Sequence, residues 1–146
     1  MFLLDTTAMS AAMRYEPEMT AFMKSTGPGN MTTAHPVTAE LFYGIERLPA
    51  GRKKKSLSTH INTLLTYIKA TPWTDEASEL FGVIKSRLEQ TGRLIDDFDI
   101  AIAAIAKSRG YTVVTANLSR FLRVPDLEVH HWSSLTDGSP AVHTDK

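Results

Sequence analysis

The sequence predicts an α/β layer fold built on a mostly parallel sheet, and three observations carry that prediction. Short apolar or β-branched runs end on polar residues, as Phe2-Leu3-Leu4 does at Asp5 and Thr112-Val113-Val114 does at Thr115. Continuous runs of this kind fit strands buried on both faces, which is how parallel sheets are built. Between the runs lie segments with apolar residues at helical spacing, so strands and helices alternate. Glycine and proline separate the two kinds of segment, at Gly27-Pro28-Gly29-Asn30, Pro49-Ala50-Gly51, Gly92, Gly110 and Pro125.

In chain order, Phe2 to Leu4 is the first strand and places Asp5 at its carboxyl end. Thr6-Thr7 are expected to cap a helix running to about Tyr15, with Met9, Ala12 and Met13 on one face and Pro17 as its stop. A short helix follows over Glu18 to Lys24, and Met31 to Thr33 is the next strand. Pro36 suits a first helical turn, and Val37, Leu41, Ile45 and Leu48 recur at helical spacing, with Glu40 in the opening turns. A helix starting near the basic run Arg52-Lys53-Lys54-Lys55 turns Leu57, Ile61, Leu64, Leu65 and Ile68 inward. Ala70 to Thr74 reads as a strand. Thr74 or Asp75 then caps a helix with Ala77, Leu80, Phe81, Ile84 and Leu88 inward, and this helix is expected to pair with the preceding one.

Asp96 or Asp97 caps a strongly helical segment from Phe98 to Ser108, with Ile102, Ala103 and Ala106 below Asp99 and Gly110 as its end. Thr112 to Thr115 is the clearest β-branched strand, Leu118 to Arg123 a short helix, and Glu128 to His130 a last strand. Residues 1–132 are read as one domain. The polar, turn-rich residues 133–146 are expected to be a disordered tail.

A chain of 146 residues is long enough to bury one core. Sixteen basic residues balance sixteen acidic ones, which argues against a strongly basic nucleic-acid coat and leaves local patches open. Cysteine is absent, so disulfides, thiolate zinc sites and thiol nucleophiles are excluded. That composition fits a cytoplasmic protein. Met1-Phe2-Leu3-Leu4 reaches Asp5 without a basic start and reads as neither signal peptide nor anchor, and the longest later apolar run, Ile100 to Ala106, is too short to span a bilayer. No membrane association is expected.

The chemistry lies in acidic groups far apart in sequence. In open parallel sheets the functional crevice lies beyond the carboxyl ends of the strands, where Asp5 and Asn117 fall. Asp96 and Asp99, three apart, share a face at a helix start, and Glu40 also sits early in a helix. Oxygen donors without cysteine or paired histidines favour Mg²⁺ or Mn²⁺, the ions of phosphodiester hydrolysis.

The segments Leu3-Leu4-Asp5-Thr6, Thr38-Ala39-Glu40-Leu41-Phe42-Tyr43-Gly44, Asp97-Phe98-Asp99-Ile100-Ala101 and Val114-Thr115-Ala116-Asn117, with Phe121, Val124-Pro125 and Trp132 following, resemble PIN-domain ribonucleases of the VapC-like toxin type. The likeness runs from Met1 to Trp132. It implies a three-layer α/β/α fold and an endoribonuclease using Mg²⁺ or Mn²⁺. It further implies that Asp5, Glu40 and Asp99 hold the metal and Asn117 completes the site, with Thr6 and Thr115 in support. It also implies a homodimer and a VapB-like antitoxin, through which alone operator DNA would be contacted. Two positions depart from the family. Thr7 stands where asparagine is common, and Asp96 stands where small residues are common, which makes it an extra ligand or a helix cap.

Blander readings stay open at this point. The run Arg52 to Lys55 reads as a solvated helix face, and Arg14, Arg87, Arg93, Arg120 and Arg123 as phosphate contacts or surface ion pairs. His35 reads as a cap or structural residue, and His130-His131 as an edge feature. A non-catalytic PIN-like scaffold that docks RNA or protein is the rival function. A phosphate-accepting signalling domain is a second rival, against which stands the lack of a lysine after the Thr115 strand.

Overall fold

The computed structural model describes residues 1–136 and 142–143. Five parallel strands, β1 (Phe2–Leu4), β2 (Met31–Ala34), β3 (Lys69–Thr71), β4 (Thr112–Val114) and β5 (Glu128–His130), form the sheet in the order β3-β2-β1-β4-β5. The two-residue β6 (Val142–His143) pairs antiparallel with β5. Leu3 stands opposite Thr32 on one side and Val113 on the other, which makes β1 the central strand. Leu3, Leu4, Val113 and Val114 have no exposed surface, as their unbroken apolar runs require.

Helices fill the connections. They are α1 (Thr6–Met13), α2 (Pro17–Thr26), α3 (His35–Glu46), α4 (Arg52–Tyr67), α5 (Asp75–Gln90), α6 (Asp97–Arg109), α7 (Leu118–Phe121) and α8 (Trp132–Thr136). From β1 to β3 the chain steps one way along the sheet, and from β3 it returns past β1 to β4 and β5. Right-handed crossovers in opposite directions place the helices on opposite faces, which gives the expected α/β/α layers. The reversal lies between β1 and β4, so their carboxyl ends form the crevice where such folds bind ligands.

That reversal also overturns the expected pairing of α4 with α5. α4 lies against α1 and α3, whereas α5 runs along α6. Sequential amphipathic helices pair only if no strand sends the chain back between them, and β3 does so here. The stretch Ile100 to Ala106 is buried on all sides, not only beneath Asp99, because α6 is enclosed by α5, α3, α7 and β4. Gly110 ends α6 in the left-handed region at φ 69°, a conformation that a β-carbon disfavours.

Part of the expected disordered tail is ordered. Residues 133–136 complete α8, which packs on α2. Trp132 is 4% exposed and its indole N–H donates to Glu16 Oε1 at 2.9 Å, so burial and a polar partner hold the helix down. Apart from 142–143, the remainder of that expected tail lies outside the described residues. Among the described residues no helix is long and apolar enough to cross a membrane.

Replacing Leu3, buried at the middle of the central strand, by alanine is expected to cost about 3 kcal/mol. Denaturant unfolding checks this: the midpoint should fall while the slope stays constant.

Candidate metal-binding active site

Asp5 is the fixed point of the site. Its backbone N–H extends the β1–β4 ladder by donating to Val114 O at 3.1 Å, and the side chain then caps α1. Oδ1 accepts from the Ala8 N–H at 2.9 Å and from the Thr7 hydroxyl at 2.7 Å, and Oδ2 accepts from the Thr115 hydroxyl at 2.5 Å. The expectation that Thr6-Thr7 cap α1 is therefore corrected. An aspartate leaving a strand has the extended backbone a cap needs, and its carboxylate is the stronger acceptor.

Two hydroxyls carry the connection onward. Thr7 Oγ1 accepts from the Ala116 N–H at 2.9 Å, Thr115 Oγ1 accepts from the Asn117 N–H at 2.8 Å, and the two oxygens lie 3.4 Å apart. Thr7 thus ties the head of α1 to the loop after β4. The sequence marked Thr7 as a helix cap and as a departure from asparagine, and nothing in its spacing pointed to a partner 109 residues away. Asn117 heads α7 through its backbone, but among the described residues its side chain hydrogen-bonds to none of the carboxylates.

Glu40, half-buried on α3, accepts from the Thr6 hydroxyl at 2.7 Å. Asp99, in the first turn of α6, has a side chain 13% exposed, and Arg120 on α7 reaches its Oδ2 at 3.5 Å. Asp96 is exposed and caps α6 by accepting from the Phe98 N–H at 2.8 Å. Asp97 turns away and pairs with Lys85 at 3.0 Å. His35 is exposed at the start of α3, and Arg123 donates to the carbonyls of Arg93 and Leu94. The contact between Arg120 and Asp99 was not legible in the sequence, where Arg120 was one of five candidate arginines.

The carboxylates share one field. Burial pushes the Asp5 carboxyl above its ordinary range, hydrogen bonds from Thr115, Thr7 and Ala8 pull it back, and the Asp99 charge pushes it up again. Burial also raises Glu40, opposed by the Thr6 hydroxyl and reinforced by Asp99, Asp96 and Asp5. For Asp99 burial leads, Arg120 opposes and Asp96 reinforces. Mutual repulsion is the smaller cause of these shifts. Removal from water outweighs it at all three groups.

The donor set fits a hard, hydrated cation. All the side chains are oxygen donors, and a dication would favour the charged forms that burial and repulsion disfavour. Among the described residues no three histidine or carboxylate side chains close into a complete ligand group. Mg²⁺ suits such an open arrangement, since it keeps much of its water and takes only one or two carboxylates.

Three raised carboxyls also fix the sign of the pH dependence without metal. Between the unfolded and folded pKa values the native state holds more protons, so stability falls as pH rises through that window. Thermal unfolding in EDTA is expected to show a melting temperature that drops from mildly acidic to neutral pH. Asp99→Asn should flatten that slope and leave neutral-pH stability within about 1 kcal/mol or improved, because the Arg120 pair is half exposed and contributes little.

The PIN domain model matches residues 2–127. The chain is 30% identical over 131 residues to Ribonuclease VapC2 of Haemophilus influenzae, covering 90% of this chain and 97% of that protein. It is 26% identical over 131 residues to the tRNA(fMet)-specific endonuclease VapC of Salmonella typhimurium, with coverage of 90% and 97%. Among solved structures it aligns with a chain of VapBC2 from Rickettsia felis bound to a promoter DNA fragment, with a TM-score of 0.79, 25% identity and coverage of 90% and 98%. FitAcB from Neisseria gonorrhoeae gives the same TM-score, identity and coverage. With sequence and fold matched over nearly its whole described length, the chain belongs to the PIN domain family, among its VapC members.

Proposed function

We propose that this chain is a Mg²⁺- or Mn²⁺-dependent endoribonuclease toxin that hydrolyses RNA phosphodiester bonds and is held in check by a VapB-like antitoxin. One observation carries the reading. Buried Asp5 and half-buried Glu40 both feel the charge of Asp99, and Glu40 that of Asp5 as well, at the reversal point of the sheet. Relatives named ribonucleases and neighbours solved as toxin–antitoxin complexes support it.

Asp5, Glu40 and Asp99 would together hold the hydrated ion, in part through its water, and it supplies Lewis-acid polarisation of the phosphate and a more acidic bound water. Thr7, Thr115 and the Ala8 N–H orient Asp5, and Thr6 orients Glu40. Asp96 adds negative potential while capping α6, and Asn117 borders the site through the loop that Thr7 and Thr115 hold. The antitoxin is the expected contact to operator DNA, and a homodimer the expected assembly.

A magnesium titration with an EDTA control on pooled RNA, with tRNA(fMet) as the first defined substrate, tests the activity. Cleavage should appear with metal, vanish with chelator, and fall at least about a thousandfold in Asp99→Asn. Metal-dependent cutting by Asp99→Asn would refute the assignment, and RNA binding without cutting by the wild type would favour a scaffold. Sedimentation at micromolar concentration is expected to give a dimer mass.

A further inference from the structure

Two clefts meet beside the carboxylates, and Arg14 lines both. The first, of about 400 Å³, runs from Thr6 and Glu40 past Arg14 to Lys53, over a floor that includes Leu41 and Leu57. The second, of about 500 Å³, is lined by Thr7, whose hydroxyl donates to Asp5, and by Ala116, Glu16 and Trp132. Thr6, Ser10 and Arg14, along one side of α1 and its C-terminal end, line both, so the two clefts adjoin there as a trough beside Glu40.

Its cations are unspent. Arg14 and Lys53 are exposed, and among the described residues neither has a carboxylate partner. Arg14 borders the same cleft as Glu40 without pairing with it, and Glu16, the other acid in the trough, accepts from the Trp132 indole. Lys54 differs from its neighbour, since it is held by Glu46. Guanidinium and ammonium groups without a carboxylate partner, spaced along a channel whose other lining is mostly hydroxyl and apolar apart from Glu40 and Glu16, complement a string of phosphates with sugars or bases between them.

We propose that this trough is the path of the RNA backbone, with Arg14 and Lys53 each holding a phosphate of the strand that leads to the scissile bond. Arg14, where the clefts join beside Glu40, takes the phosphate nearer the bond, and Lys53 one farther along. The proposal rests on the nuclease reading for the class of its ligand. Neither residue touches the reacting atoms, so each acts on binding.

The test measures binding of a short fluorescent single-stranded RNA in EDTA, between about 50 and 200 mM salt, and separately the cleavage kinetics with magnesium. Arg14→Gln should weaken binding about fivefold and lower the slope of log affinity against log salt by about 0.7, the loss of one single-strand phosphate contact. KM should rise by a similar factor while kcat stays within about twofold. Lys53→Gln should give a smaller shift of the same kind, and Arg14→Lys should restore the slope. Arg109→Gln is the control. It changes a charge about 15 Å along α6 from Asp99 and should alter nothing.

Unchanged affinity and slope in the Arg14→Gln, Lys53→Gln double variant, while the wild type still cleaves, would overturn the path and leave the catalytic assignment standing. A loss confined to antitoxin affinity would overturn it too and give the trough to that partner. If the wild type binds with the stated slopes but does not cleave, the path holds and the nuclease reading fails.

Discussion

A carboxylate taken out of water at the junction of two strands is the constraint on which the rest of this structure depends. Asp5 is 2% exposed, and a bare charge at that depth would be prohibitive. Three donors relieve it: a helix N–H from Ala8, a hydroxyl from its own turn, and a hydroxyl from the end of β4. Two of the donors belong to the first turn of α1 and the third to the end of β4, so satisfying one side chain fixes where α1 begins and how β1 meets β4, and Thr7 and Thr115 in turn hold the loop to α7. The electrostatic character of the site follows, because the same burial that needs these donors raises the proton affinity of Asp5 and its neighbours.

Much of this was legible in the sequence because it is set by local rules. The strands around β1 and β4 are unbroken apolar runs, the long helices carry their apolar residues at regular intervals, and Thr74, Asp96 and Gly110 end or begin helices through short-range hydrogen bonds and backbone preference. Of the acids at the crevice, Asp5 was legible for a related reason, since a polar residue closing a buried strand faces the carboxyl edge, whereas Glu40 and Asp99 lie on helices. Their convergence was carried by the resemblance, as no spacing rule relates positions 5, 40 and 99.

What escaped was decided by partners distant in sequence. Asp5 displaced Thr6-Thr7 as the cap because of its backbone conformation at the strand exit, and Thr7 gained its role from the Ala116 N–H on another loop. The alternation of α4 and α5 resembled that of a packed pair until the sheet order separated them. A polar stretch after Trp132 read as disorder, yet an indole anchored on Glu16 holds its first turn against α2. In each case composition described the segment correctly and topology supplied the contact.

The double duty proposed for Asp5 has an evolutionary consequence. Capping α1 needs a side-chain oxygen at position 5, whereas holding a cation needs negative charge, and asparagine supplies the first without the second. Glu40 and Asp99 carry no comparable duty to the fold. In lineages where such a gene decays, relaxed selection should therefore erase the acids on α3 and α6 first, while position 5 persists as aspartate or drifts only to its amide, a fossil of the site preserved by helix geometry.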